Sequence, residues 1–360
     1  MATIFINIIL LVSSYLLASF IIPIIREKAI NIGLVDKPNK RKKHIGKIPL
    51  AGGISIALST VIIYFSAYLT GLIMPNNTIA VTLGLSMLLL VVGAVDDKHD
   101  ISARIKLLVQ FILANVLFFN GLKIQSLYGF FGVFEMPFIA QYALTLIIIV
   151  GVINAYNLMD GIDGLLASIA LNSFLILAAI AWWTTLYELM IYCLILAGSS
   201  LAFLKANFSK KQKIFLGDAG SLFIGFNIVS IALVLINSVA GSNKEVQITV
   251  WMIGLMSLPV IDSLRVYIYR MLRGKNPLKA DRSHFHHIAL QIGLSPKHID
   301  ILVSIVMLVI VIGLSISAIS SSITLSVLLV LAFMYLGNKI IQFVLKMNHW
   351  KAFIKQNELS

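Results

Sequence analysis

Apolar residues run along this chain in long blocks, without the strict alternation of a half-buried strand. No Asp, Glu, Lys, Arg or His occurs between Leu50 and Val95, or between Leu302 and Asn338. A hydrocarbon core about 30 Å thick takes roughly 20 apolar residues per helix, so each block holds two spans joined by a turn. Pro75-Asn76-Asn77 and Ser320-Ser321-Ser322 supply those turns. The remaining breaks, read the same way, predict eleven helices at about 3–25, 50–70, 78–95, 104–120, 138–156, 164–184, 189–205, 220–240, 247–268, 299–318 and 322–340. Strands cross a bilayer only as closed barrels, and the alternation of a barrel is missing. The expected fold is all-α: a polytopic integral membrane protein with about eleven transmembrane helices and one domain over residues 1–360.

Composition sharpens that picture. Hydrophobic residues make up 59% of the chain and charged residues 12%, about half the charged share of an average soluble protein. Disorder is excluded, and an ordinary soluble enzyme is not expected. The first apolar segment lacks a basic leader and is followed by Arg26 and Lys28 instead of a cleavage site, so it reads as a retained span. Cys193 is the sole cysteine and falls inside a span, which leaves no disulfide framework and no cysteine-based metal site.

Charge then orients the bundle. With connections numbered alternately, one face collects residues 26–49, 96–106, 157–163, 205–218, 265–298 and the tail from Lys339. That face carries every Lys and Arg except Lys123 and Lys244. The positive-inside rule places it in the cytoplasm, with the N-terminus outside and the C-terminus inside. All seven His lie on the same face, and all ten Asp lie there or near its membrane boundary. The rule does not predict that asymmetry, which suggests a reaction centre at the inner surface. A cation-coupled transporter, the rival from another class, would place ionisable groups near mid-membrane. The deepest acid here is Asp262, with Arg265 three residues on as a partner.

Five clusters carry the chemistry of that face. Asp36 to His44, with Lys43 and His44 at its end and Lys47 beyond, is a basic run that attracts phosphate; a topology signal touching anionic lipid reads equally well. Asp96, Asp97 and Asp100 crowd one helix face, which suits a divalent metal or a general base, a solvated helix end being the alternative. Asn154-Ala155-Tyr156-Asn157-Leu158-Met159-Asp160-Gly161-Ile162-Asp163-Gly164 sets two amides and two carboxylates where a span meets water, oxygen ligands fit for Mg²⁺. Phe215-Leu216-Gly217-Asp218-Ala219-Gly220-Ser221 opens a span as either a plain helix cap or a phosphate cradle with a bridging cation. Asp281-Arg282-Ser283-His284-Phe285-His286-His287 offers imidazoles to a transition metal or, with arginines nearby, to phosphate oxygens.

Four of these motifs, in this order, resemble the polyprenyl-phosphate N-acetylhexosamine-1-phosphate transferases, the WecA/TagO/MraY group. The likeness runs from the first span to the last, and the HFHH form is similar to the WecA branch. The resemblance implies transfer of GlcNAc-1-phosphate from UDP-GlcNAc to undecaprenyl phosphate, giving undecaprenyl-diphospho-GlcNAc and UMP at the start of cell-surface polysaccharide synthesis. The same chemistry with another UDP-N-acetylhexosamine or with UDP-MurNAc-pentapeptide is the alternative.

It also implies roles. Asp218 and Asn157 would hold Mg²⁺ (Mn²⁺ being the alternative), and Phe215 would stack on uracil with Asp163 accepting a hydrogen bond from it. Asp160 and Asn154 would complete the nucleotide site. Lys106, Arg282, His284, His286 and His287 would steady the diphosphate. Asp96 and Asp97 would face the lipid phosphate, Asp96 to deprotonate or orient it, with a covalent path through Asp97 left open. Lys43, His44 and Lys47 would meet the lipid phosphate or shape its loop. The expected partners are the two substrates and membrane lipid, with no nucleic acid; a homodimer is compatible with this reading.

Overall fold

A computed structural model describes residues 2–36, 46–276, 283–318 and 322–358; Lys43, His44 and Arg282 lie outside them. Within the described residues the chain forms twelve helices: α1 Ala2–Asn31, α2 Gly52–Leu69, α3 Asn77–His99, α4 Ala103–Phe119, α5 Phe138–Met159, α6 Leu165–Trp183, α7 Tyr187–Asn207, α8 Gly217–Ser238, α9 Glu245–Met271, α10 Phe285–Gln291, α11 Pro296–Ala318 and α12 Ile323–Glu358. Eleven of them fall on the predicted spans. Ten are long and apolar enough to cross a membrane. The other, α4, has 17 residues, about 25 Å of helix, and still runs from one face to the other.

Three features depart from the predicted pattern. α12 continues past Lys339, because a helix leaving the membrane needs no further apolar residues. α10 is a short helix within the inner loop. Two small antiparallel ribbons also form. Residues Val35–Asp36 (β1) pair with Ile48–Pro49 (β2), and Ser126–Phe130 (β3) with Val133–Glu135 (β4).

Helix α8 is the axis of the bundle. It is apolar around its whole circumference and buried over nearly its full length, against α3, α5, α2, α6 and α9, as expected of a helix with no lipid-facing side. Two glycines let neighbouring backbones reach it. A methyl group at Gly53 of α2 would overlap the backbone of Gly220, and one at Gly93 of α3 the backbone of Ala219. Without lipid-excluding force between helices, close backbone approach through small residues is what joins them.

The ends of α3, α5, α7 and α9 and the starts of α4, α6, α8 and α11 meet on one face. On the opposite face Lys244 lies over the Trp183 ring, and Asn237 donates to the Lys123 carbonyl. The two cations that the sequence left outside the basic face thus share the other end.

Candidate active site

Three helix ends build the centre of the site. Asp97, at the C-terminal end of α3, accepts hydrogen bonds from the backbone N–H of Asp218 at 2.8 Å and of Ala219 at 3.1 Å, and so caps the first turn of α8. Gly217 makes room for it: φ is +76°, and a methyl group there would overlap the Asp97 carboxylate. One residue back, Asp96 is buried. Its Oδ2 meets Lys106 Nζ of α4 at 2.5 Å, and the same ammonium reaches Asp218 Oδ2 at 2.8 Å. Asp96 Oδ1 is buried with no hydrogen-bond partner among the described residues. From α5, Asn157 donates to Asp218 Oδ1 at 3.2 Å and to Ser221 Oγ at 2.8 Å.

A second group adjoins it through the 157–164 turn. Gly164 opens α6 with φ +83°, and its N–H donates to Asn207 Oδ1 at 2.7 Å, while Asn207 Nδ2 donates to the Ile214 carbonyl at 2.8 Å. This buried amide holds the 160s turn beside the segment leading into α8. Asp163 and Phe215 are therefore neighbours, linked by Lys213, whose Nζ lies 2.5 Å from Asp163 Oδ2 and 5.6 Å from the centre of the Phe215 ring. Asp160 stands at the mouth. Loss of hydration among the groups packed around it, then the like charges of Asp218, Asp97 and Asp163, push its carboxyl up although its outer side reaches solvent.

The loop after the basic run is fastened to the same place. Phe215 N–H donates to the Pro49 carbonyl at 2.8 Å, and Gly52 and Gly53 donate to the carbonyls of Phe215 and Leu216. Lys47 is exposed beside this junction.

The histidine loop closes the face. His286 is buried against the 157–164 turn, where a methyl group at Gly161 would overlap its imidazole. Burial, and then the neighbouring His287, hold its pKa down to about 3, so this ring is neutral. Its plane stacks on His284 with centres 5.8 Å apart and 11° between planes. His284 is tied in turn to Asp262 of α9.

A family model described as glycosyl transferase family 4 matches residues 79–236. The chain is 32% identical over 302 residues to the undecaprenyl-phosphate alpha-N-acetylglucosaminyl 1-phosphate transferase of Escherichia coli (strain K12), covering 82% of this chain and 79% of that protein. It is 33% identical over 287 residues to the protein of the same name from Yersinia pestis, covering 78% and 76%. To the probable undecaprenyl-phosphate N-acetylglucosaminyl 1-phosphate transferase of Bacillus subtilis (strain 168) it is 33% identical over 294 residues, covering 79% and 77%. This chain belongs to the polyprenyl-phosphate N-acetylhexosamine-1-phosphate transferases.

For this transferase the structure brings together most of the residues singled out from sequence. Asp96, Asp97, Lys106, Asn157 and Asp218 form one connected set, Asp163 and Phe215 a second, and His284, His286 and His287 a third that touches the 157–164 turn. Asn154 lies apart from the first set. Its amide donates to Gln110 Oε1 at 2.5 Å and to the Val150 carbonyl at 2.7 Å, so it ties α5 to α4, one turn below Asn157.

Sequence reading missed Lys213, although its place two residues before Phe215 was a local signal. It also missed Asp300 of α11, a buried carboxylate pressed against Gly164.

Proposed function

We propose that this membrane enzyme transfers GlcNAc-1-phosphate from UDP-GlcNAc to undecaprenyl phosphate, yielding undecaprenyl-diphospho-GlcNAc and UMP, on the cytoplasmic face of a bacterial plasma membrane with the N-terminus outside. The observation that carries this reading is the convergence of Asp96, Lys106, Asp218 and Asn157, each hydrogen-bonded to the next, at the basic end of the bundle. Two anionic reactants repel, and phosphoryl transfer needs chiefly their in-line positioning and charge neutralisation. A face rich in Lys, Arg and His supplies part of that neutralisation. The names of the relatives supply the acceptor and the sugar.

In this reading an oxygen of the lipid phosphate attacks the sugar-proximal phosphorus, and the bond to the UMP phosphate breaks. Asp96, with one oxygen uncommitted, orients the attacking phosphate or takes its proton. Both oxygens of Asp97 are engaged by α8, which favours direct transfer over an aspartyl-phosphate path. Phe215 and Asp163 take the uracil once Lys213 moves aside, and Lys106 with the His284 to His287 loop steadies the diphosphate.

The donor set suits a hard cation: oxygen atoms of Asp218 and Asn157, which lie side by side. Among the described residues no three His, Cys, Asp or Glu side chains make a ready cage. Mg²⁺ needs no such cage, being held by one or two carboxylates together with substrate phosphates. Bound there by Asp218 and Asn157, Mg²⁺ or Mn²⁺ would neutralise charge on the diphosphate.

The test is purified protein in detergent with undecaprenyl phosphate and radiolabelled UDP-GlcNAc. Labelled lipid and UMP in equal amounts are expected, and both are lost in EDTA. Preference for another UDP-N-acetylhexosamine or for UDP-MurNAc-pentapeptide would overturn the donor assignment, and undiminished turnover in EDTA the cation.

A further inference from the structure

Asp262 is 4% exposed and sits two turns inside the inner end of α9. A buried carboxylate is costly unless charge and hydrogen bonds compensate it, and this one has three compensating contacts. Arg265 Nη2 donates to Oδ1 at 2.7 Å, the backbone N–H of Phe285 donates to Oδ1 at 3.1 Å, and His284 Nδ1 lies 2.8 Å from Oδ2. Arg265 also donates to the Ser283 carbonyl at 2.6 Å. A salt bridge within α9 would need Arg265 alone. The other contacts all gather residues 283–285, the entry to the histidine loop.

The geometry points to Asp262 as a positioning residue for the transfer reaction, holding His284 in one ring orientation and one tautomer. An ionised carboxylate only accepts hydrogen bonds, so the shared hydrogen is on His284 Nδ1. Nε2 is then the one ring nitrogen left to meet a phosphate oxygen. A buried partner on the far nitrogen fixes an imidazole for work at the near one. Stacking of His284 on His286, and of His286 against Gly161, carries the same orientation to the 157–164 turn. The inference rests on the reading above, in which the histidine loop contacts the diphosphate.

The test is a double-mutant cycle on full-length protein, with kcat, KM for UDP-GlcNAc and Tm in detergent measured for each variant. Asp262→Asn and His284→Ala each lower kcat by about 10²-fold, the scale of a misplaced catalytic group. The double variant is no slower than His284→Ala, because residues acting as a unit are not additive. Asp262→Glu, which keeps the charge, restores part of the rate. His284→Asn keeps an N–H donor toward Asp262 but has no counterpart of Nε2, and is expected to be as slow as His284→Ala with the Tm of wild type. If Asp262→Asn does not fold, this variant still tests the proposal, because a full rate without Nε2 would leave Asp262 nothing to position.

Wild-type rates in Asp262→Asn or in His284→Asn, or a double variant showing the product of the single losses, would overturn the proposal alone. An inactive wild type would overturn the functional reading, and this proposal with it.

Discussion

The Asp97 carboxylate holds the backbone N–H of Asp218, 121 positions later in the chain, at 2.8 Å. One end of α3 is thereby locked to the first turn of α8, and the neighbouring Asp96 is set opposite the Asp218 side chain with Lys106 between them. Adjacent aspartates thus do different work. Asp97→Asn replaces one acceptor by a donor facing an N–H group, at a cost of about 1–3 kcal/mol. It is expected to lower Tm by several degrees and UMP release by at least about 10²-fold. Asp96→Asn is expected to cost as much activity with Tm unchanged. Full activity in an Asp97→Asn protein of lowered Tm would show that the lock is not needed for transfer.

Lys213 bridges Asp163 and Phe215, where the nucleotide base is proposed to bind. Both charged side chains are about one-third exposed, and ion pairs of that kind contribute about 0–1 kcal/mol. Opening this one for a ligand is therefore cheap, and the freed ammonium then faces an anionic diphosphate. Lys213→Met is expected to raise KM for UDP-GlcNAc about tenfold, equivalent to about 1.4 kcal/mol, with kcat little changed. Steady-state kinetics at low and high salt check it, and the gap from wild type narrows at high salt. An unchanged KM would remove Lys213 from the nucleotide site.

Most of the bundle was legible because membrane spans are written as uninterrupted apolar runs. Once the spans were placed, the one-sided distribution of Asp and His suggested which face carries the chemistry. Long-range pairings were not legible. Sequence reading joined Asp262 to Arg265, three residues on, and that contact is present; His284, on the same carboxylate, is 22 residues away and no periodicity points to it. Asn154 and Asn157 look equivalent in a motif. One helical turn separates a residue facing Asp218 from one facing Gln110, and that choice depends on where α4 packs. The close contacts of Gly53 and Gly93 with α8 depend likewise on tertiary approach.

Gly93 gives a test of that approach. A methyl group there would overlap the Cα of Ala219 on α8, backbone against backbone, with no flexible side chain to yield. Gly84 lies on the same helix, and a methyl group there meets nothing within 4 Å. Gly93→Ala should force α3 from α8 and cost about 1–3 kcal/mol, moving Asp96 and Asp97 away from Asp218, so that both Tm and kcat fall. Gly84→Ala should hold or raise Tm, by the usual helix preference of about 0.5–1 kcal/mol. Equal behaviour of the two variants in thermal unfolding and UMP release would rule out this crossing as the constraint.

His286 makes stability depend on pH with a definite sign. Its pKa in the folded protein is about 3, against 6.5 for a free imidazole, because burial and His287 oppose its charge. Below about pH 6.5 the unfolded chain therefore binds a proton that the folded chain refuses. Stability is lost progressively as pH falls from that value toward the folded pKa. Each pH unit inside the window contributes about 1.4 kcal/mol, so this ring accounts for about 2 kcal/mol between pH 7 and pH 5. Thermal unfolding of substrate-free protein in detergent at pH 7, 6 and 5 should show a falling Tm. Replacing the ring with an uncharged group, His286→Gln, should leave a visibly shallower dependence, even if Tm at pH 7 is lower. Parallel pH dependences for the two proteins would mean that His286 is charged in the fold, and that Gly161 and His287 surround it less closely than described.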